Sequence, residues 1–124
     1  MNCDDCGIPI SLPFPVTIYN QTFTSAIVGS NGTLSFGTAY DFAPTCMPVD
    51  AASYSIAPYW VDQFPVTSTC PTCGVFTAIT GQAPPNRKFV VEWRNAYYPG
   101  NATPNLDYEV VLYETPPSPF SPNG

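Results

Sequence analysis

The sequence predicts an all-β chain, an antiparallel β-sandwich of about seven or more short strands with Pro-rich loops and tails. Apolar residues alternate with a period of two along several stretches, the mark of strands with one buried face. The 16 prolines and 8 glycines among 124 residues punctuate those stretches instead of diluting them. No ten-residue window keeps a 3.6-residue period free of Pro, Gly or a β-branched run, so no helix is expected. The length suits one domain, and 44% apolar residues with 15% aromatics are enough for a packed core. The expected organisation is a Cys-x-x-Cys segment at 1–7, one sandwich domain over 8–114 and a Pro-rich tail at 115–124.

The domain opens with an arm at 8–18, in which Ile8, Ile10, Leu12, Phe14, Val16 and Ile18 fall on every second position. Pro9, Pro13 and Pro15 occupy the other parity. Backbone donors also alternate between a strand's two lateral edges, so these prolines remove donors from one edge and leave the other able to pair. Such an arm either packs on its own domain as an edge strand or fills the open groove of a neighbouring subunit by strand exchange.

Residues 21–37 read as a hairpin turning at Asn31-Gly32, a pair suited to positive φ. Residues 38–52 are too interrupted by Pro44, Cys46 and Pro48 for regular structure. A short apolar strand at 54–60 is broken by Pro58. Residues 73–80 form a strand with Val75, Thr77 and Ile79 on one face and Phe76, Ala78 and Thr80 on the other. A turn at 81–86 leads into 88–98, expected to be the longest uninterrupted strand. There Phe89, Val91 and Trp93 oppose Lys88, Val90, Glu92 and Arg94. The last strand, 107–114, turns Tyr108, Val110 and Leu112 inward. Glu92, Arg94 and Glu109 then suggest a cross-strand charge ladder.

Only 10% of residues are charged, well below the usual quarter, and Pro and uncharged polar residues take their place. The net charge is −6, with Arg87, Lys88 and Arg94 as the only cations. That excludes the basic footprint nucleic acid requires, and no apolar run approaches the roughly 20 residues of a membrane span. No signal peptide is visible at the start, so an exported product is expected to be a mature or excised form.

Five cysteines, Cys3, Cys6, Cys46, Cys70 and Cys73, form two Cys-x-x-Cys pairs and a singlet. Four thiolates from the pairs are a zinc alternative. Disulfides suit a low-charge, Pro-rich β domain better and point to an oxidising compartment. The expected bridges are Cys70–Cys73 and Cys46 to either Cys3 or Cys6. An odd count leaves one sulfur free or linked to another chain. No cofactor or metal is expected.

With no histidine in the chain, Ser-His-Asp and Cys-His arrangements cannot be built. Scattered acids such as Asp41, Asp50, Asp62 and Asp107 read as solvated loop residues, and Asp4-Asp5 lacks the spacing of a calcium loop. Asn-x-Ser/Thr triplets at Asn20, Asn31 and Asn101 mark expected exposed turns and possible glycosylation positions. Tyr97 and Tyr98, with the Asn101 loop, are a possible sugar contact. The simpler reading places Trp60 and Trp93 in the core and the tyrosines around its rim.

Three segments carry a family resemblance: Phe14-Pro-Val-Thr-Ile-Tyr-Asn-Gln-Thr-Phe23, Val28-Gly-Ser-Asn-Gly-Thr-Leu-Ser-Phe36, and Ala57-Pro-Tyr-Trp60 with Asp62. Together they resemble the β module of nidogen-like extracellular proteins, most closely the modules of large secreted bacterial surface proteins. Cys73-Gly-Val-Phe-Thr and Phe89-Val-Val-Glu-Trp-Arg extend the likeness, which covers about 8–114. It implies a non-catalytic extracellular or cell-surface β-sandwich and carries no active site across. Such modules commonly add a strand after the segment matching 108–114, where this chain has Thr115-Pro-Pro-Ser-Pro-Phe-Ser-Pro-Asn-Gly124, a run that favours polyproline conformation. The expected role is a structural module that self-assembles or forms filaments through strand exchange and disulfides. Its expected partners are identical subunits or neighbouring surface-protein modules. The alternative is a carbohydrate-binding adhesin module.

Overall fold

The computed structural model describes residues 3–37, 44, 54–66, 70–100 and 106–116. These form seven antiparallel strands and no helix: β1 (Gly7–Ile18), β2 (Gln21–Gly29), β3 (Thr33–Phe36), β4 (Tyr54–Ile56), β5 (Gly74–Gly81), β6 (Arg87–Ala96) and β7 (Leu106–Tyr113). One sheet has the order β1-β2-β3-β4 and the other β5-β6-β7. The all-β sandwich expected from the alternation is the observed fold. Residues 38–43, 45–53, 101–105 and 117–124 lie outside the described residues, and with them Cys46, Asn101 and the expected loop at 38–52 apart from Pro44.

The core lies between the sheets. Leu12 and Phe14 from β1, Ala26 and Val28 from β2, and Leu34 and Phe36 from β3 meet Phe89, Val91 and Trp93 from β6 and Val110 and Leu112 from β7. Trp93 is fully buried, and its indole N–H donates to the Gly29 carbonyl at 2.9 Å, tying the centre of one sheet to the end of β2 in the other. The ring of Tyr108, its partner across β6–β7, stacks on it at 5.1 Å and 14°. A buried indole needs a partner for its N–H, and this backbone carbonyl supplies it.

β1, at 12 residues, is the longest strand, two longer than β6. β6 ends at Ala96, short of the expected Tyr98; within it Asn95 takes a positive φ of 51° and the ladder to β7 shifts register between Trp93 and Ala96. That bulge is held where the Asn95 N–H donates to the Asp107 carboxylate at 2.9 Å. The β1–β2 connection is the tightest in the molecule: Ile18 pairs with Gln21 across Tyr19-Asn20, both at positive φ (47° and 64°). This is the two-residue hairpin geometry that matches strand twist. At the β2–β3 turn only Gly32 is left-handed (φ 79°), not Asn31 as well, because three residues separate the paired Gly29 and Thr33.

β2 does not keep one parity. Phe23 packs on the core together with Ala26 and Val28, since the β1–β2 ladder breaks register between Ser11 and Val16. Over that break residues 12–15 of β1 stand against Thr24 alone. Pro13 and Pro15 fall inside it, where the ladder asks for no donor.

Candidate functional site

Two regions gather the chain's distinctive residues: the outer edges of the sheets, and a buried polar knot beneath the β2–β3 turn.

The arm is the outer strand of its sheet and is zipped to β2 of its own chain. Ser30 N–H donates to the Cys6 carbonyl at 2.8 Å, so the backbone of Cys6 points toward β2. Alternation then points Ile8 and Ile10 toward β2 and Pro9 toward solvent, as the proline parity requires. Ile10, Leu12, Phe14, Val16 and Ile18 all contribute to the core. Ile8 stays 39% exposed at the mouth of an open apolar groove between the sheets. The far end of the arm is clamped by Arg87, whose guanidinium lies over the Phe14 ring and bonds Glu114 at 2.6 and 2.9 Å.

The bridges are Cys3–Cys6 and Cys70–Cys73, with Cα separations of 6.0 and 5.2 Å. The second is the one expected. The expected link from Cys46 to Cys3 or Cys6 is overturned: Asp5 takes a positive φ of 46° and folds the Asp4-Asp5 turn so that Cys3 and Cys6 reach each other. All four sulfurs a zinc site would draw on are thereby used in bridges.

The polar knot is built from Ser30, Asn31 and Gly32 of the turn together with Gln63 and Tyr108. Asn31 is only 1% exposed. Its amide donates to the Asp5 carboxylate at 2.9 Å, and its carbonyl accepts the Gln63 backbone N–H at 3.3 Å. Gln63, fully buried, donates through its side chain to the Tyr59 carbonyl at 3.2 Å. Burial pushes the Tyr108 phenol well above its usual range, an effect the neighbouring Gln63 amide only partly offsets. The backbone at Gly32 passes so close that a Cβ there would overlap the Tyr59 carbonyl oxygen and sit 2.7 Å from both the Gln63 amide nitrogen and the Tyr108 hydroxyl. The Ser30-Asn31-Gly32 turn and the stretch from Tyr59 to Gln63 are thus two halves of one packing unit.

This geometry corrects the expectation that Asn31 marks an exposed turn. Its side chain is inside the fold and already bonded, whereas Asn20, in the β1–β2 turn, is exposed. Tyr97 likewise offers no open face for a sugar: it is 8% exposed, stacks on Phe64 at 5.5 Å, and its carbonyl accepts Phe64 N–H. Tyr98 is partly exposed and its hydroxyl bonds that of Tyr59. The charge ladder is real but lopsided. Arg94 bonds Glu92 on its own strand at 2.7 and 3.0 Å, while Glu109 lies directly across from Glu92.

Asp4, Asp5 and Asp62 bring their carboxylates within 4.8 Å of one another at the surface. Burial and the Asp5 charge together hold Asp4 above the ordinary range. Sequence spacing does not reveal this convergence, because Asp62 is 57 positions from Asp5 and is brought to it by the bonds of its neighbours Val61 and Gln63 to Asn31. Gln63 itself was not singled out from the sequence, and no local pattern distinguishes it from a surface glutamine.

A family model described as nidogen-related matches residues 1–117. The chain belongs to the nidogen-related family. No curated protein and no solved structure shows significant similarity to it.

Proposed function

We propose that this chain is a non-catalytic structural module of an extracellular or cell-surface protein, working by contact with identical copies or neighbouring modules of a large surface protein. Family membership and the two disulfides support the extracellular setting. The observation that carries the assembly reading is the sulfur arithmetic. Four of five cysteines pair among themselves, leaving Cys46 with no cysteine in its own chain to join. A link to a second chain is its available oxidised product; one spare sulfur per chain makes one such link, a covalent dimer, and a filament needs the exchanged arm as its second contact.

Strand exchange takes a definite form here. Because β1 is paired with its own β2, exchange means opening the Tyr19-Asn20 turn and re-forming the same ladder between copies. Tyr19, a bulky residue held at φ 47°, is released when that turn opens. Non-reducing denaturing electrophoresis of protein purified from an oxidising compartment tests the covalent reading. A disulfide-linked dimer that collapses to monomer on reduction, and disappears in Cys46→Ser, is expected; monomer alone sinks it.

A sugar-binding adhesin is the second reading, favoured by the exposed Tyr59 ring beside Tyr98. A glycan array that loses its signal in Tyr98→Ala supports it, and a blank array for the parent protein removes it.

A further inference from the structure

We propose that the outer edge of β5 is a self-pairing surface, through which two copies of this chain join their three-stranded sheets into one continuous six-stranded sheet about a twofold axis at Thr77.

The four outer edges among the described residues are not alike. β1 turns Pro9 outward, and β4 is three residues long. On β7, Glu114 N–H donates to the Arg87 carbonyl, which by alternation turns the backbone of Asp107, Glu109, Val111 and Tyr113 outward. That edge carries two acids, and a second copy of a chain with net charge −6 is repelled there. β5, Gly-Val-Phe-Thr-Ala-Ile-Thr-Gly, has no charge, no proline and no bulge along eight residues. Proteins ordinarily guard such an edge, and an unguarded one is a template for another strand.

Register decides what pairs with it. Gln82 N–H donates to the Asn86 carbonyl at the hairpin, so even-numbered β5 residues face β6 and Val75, Thr77, Ile79 and Gly81 turn their backbone groups outward. The side chains of Val75, Thr77 and Ile79 lie opposite Trp93, Val91 and Phe89, on the core side of the sheet. An antiparallel copy must therefore pair odd with odd. A twofold through Thr77 sets Thr77 against Thr77 and Val75 against Ile79 of the second copy, joining β-branched residues along the core-side face.

The same register supplies a knob and a hole. The open groove, about 170 Å³, is lined by Ile8, Ile10, Val28, Val75 and Thr77. Ile79, two residues along, is 59% exposed although it points to the core side. The twofold brings each Ile79 beside the other copy's Val75, at the mouth of that groove. Three of the six large apolar side chains exposed among the described residues, Ile8, Phe76 and Ile79, lie along this one side. One chain thus presents both the filler and the gap, and that selects a second copy as the occupant.

The contact needs neither Cys46 nor exchange of the arm, so it is measured in full-length Cys46→Ser protein, where the assembly reading above makes no covalent product. Sedimentation equilibrium is expected to give twice the 13.4 kDa chain mass. Ile79→Lys, an inward lysine on an edge, is expected to halve that mass with unchanged circular dichroism, and Tyr19→Lys, on another surface, is expected to leave it doubled. Thr77→Cys in the same background is expected to oxidise to a covalent dimer and Thr80→Cys to remain monomeric, since only residue 77 meets itself. A monomer at millimolar concentration, a dimer indifferent to Ile79→Lys, or equal cross-linking at both positions overturns the proposal.

Discussion

At the residue scale, Gly32 shows how an unremarkable turn glycine becomes a structural requirement. Its left-handed backbone is one constraint, and its contact with Tyr59, Gln63 and Tyr108 is a second. Gly32→Ala is expected to cost about 2–4 kcal/mol in urea unfolding, beyond the ordinary cost of a single substitution. Tyr108 carries a pH signature. Its phenol titrates higher in the folded chain than in the unfolded one, so the unfolded state loses its proton first as pH rises past about 10. Stability is expected to fall above that pH, and Tyr108→Phe to lessen the fall. Glu114 acts in the opposite range. Its hydrogen bond from Arg87 holds the carboxyl below the usual value, so the unfolded state takes up the proton first. The contribution is present above the ordinary Glu range and is lost as pH drops through the folded value. Glu114→Gln is expected to flatten that acid limb of a stability profile.

At the element scale, the arm is governed by its prolines and its turn. Pro9 blocks the outer edge, and Pro13 and Pro15 sit where the ladder to β2 is interrupted. The alternation was legible in residues 8–18 because a period of two survives a register break on one strand. The break itself was not legible, since it depends on what β2 places opposite. The Tyr19-Asn20 turn escaped notice for a similar reason: tyrosine is a poor left-handed residue, and only the pairing of Ile18 with Gln21 forces it there. Replacing the pair by Asn-Gly is expected to stabilise the monomer by about 1 kcal/mol, read as a higher urea midpoint at constant slope. It is also expected to reduce any exchange of β1 between copies.

At the scale of the whole molecule, Trp93 joins the two sheets. Its indole bond to the Gly29 carbonyl and its stack on Tyr108 cross the sandwich at the same place. Trp93→Phe removes the indole bond to the Gly29 carbonyl, which keeps only the longer 3.3 Å bond from the Gly32 N–H, and leaves a void beside it. A loss of about 3 kcal/mol is expected, with the two sheets still unfolding in one transition by fluorescence and circular dichroism. Among the described residues the edges differ: an arm fenced by proline, a last strand fenced by acids, and β5 with neither. A protein of this family that works by contact has its contacts limited by which edges are left open.

The residues by themselves determined the fold class, the inward face of nearly every strand and the tight Cys70–Cys73 bridge, because these follow from periodicity and short-range geometry. They also carried the resemblance that the family match bears out. Tertiary structure alone decided that Cys3 closes on Cys6, that Asn31 and Tyr97 are buried, that three distant aspartates converge, and that β5 has no strand beside its outer edge among the described residues. Each of these depends on which segment lies across from another. Local pattern says which face of a strand is apolar, and only the packed sheets say what that face meets.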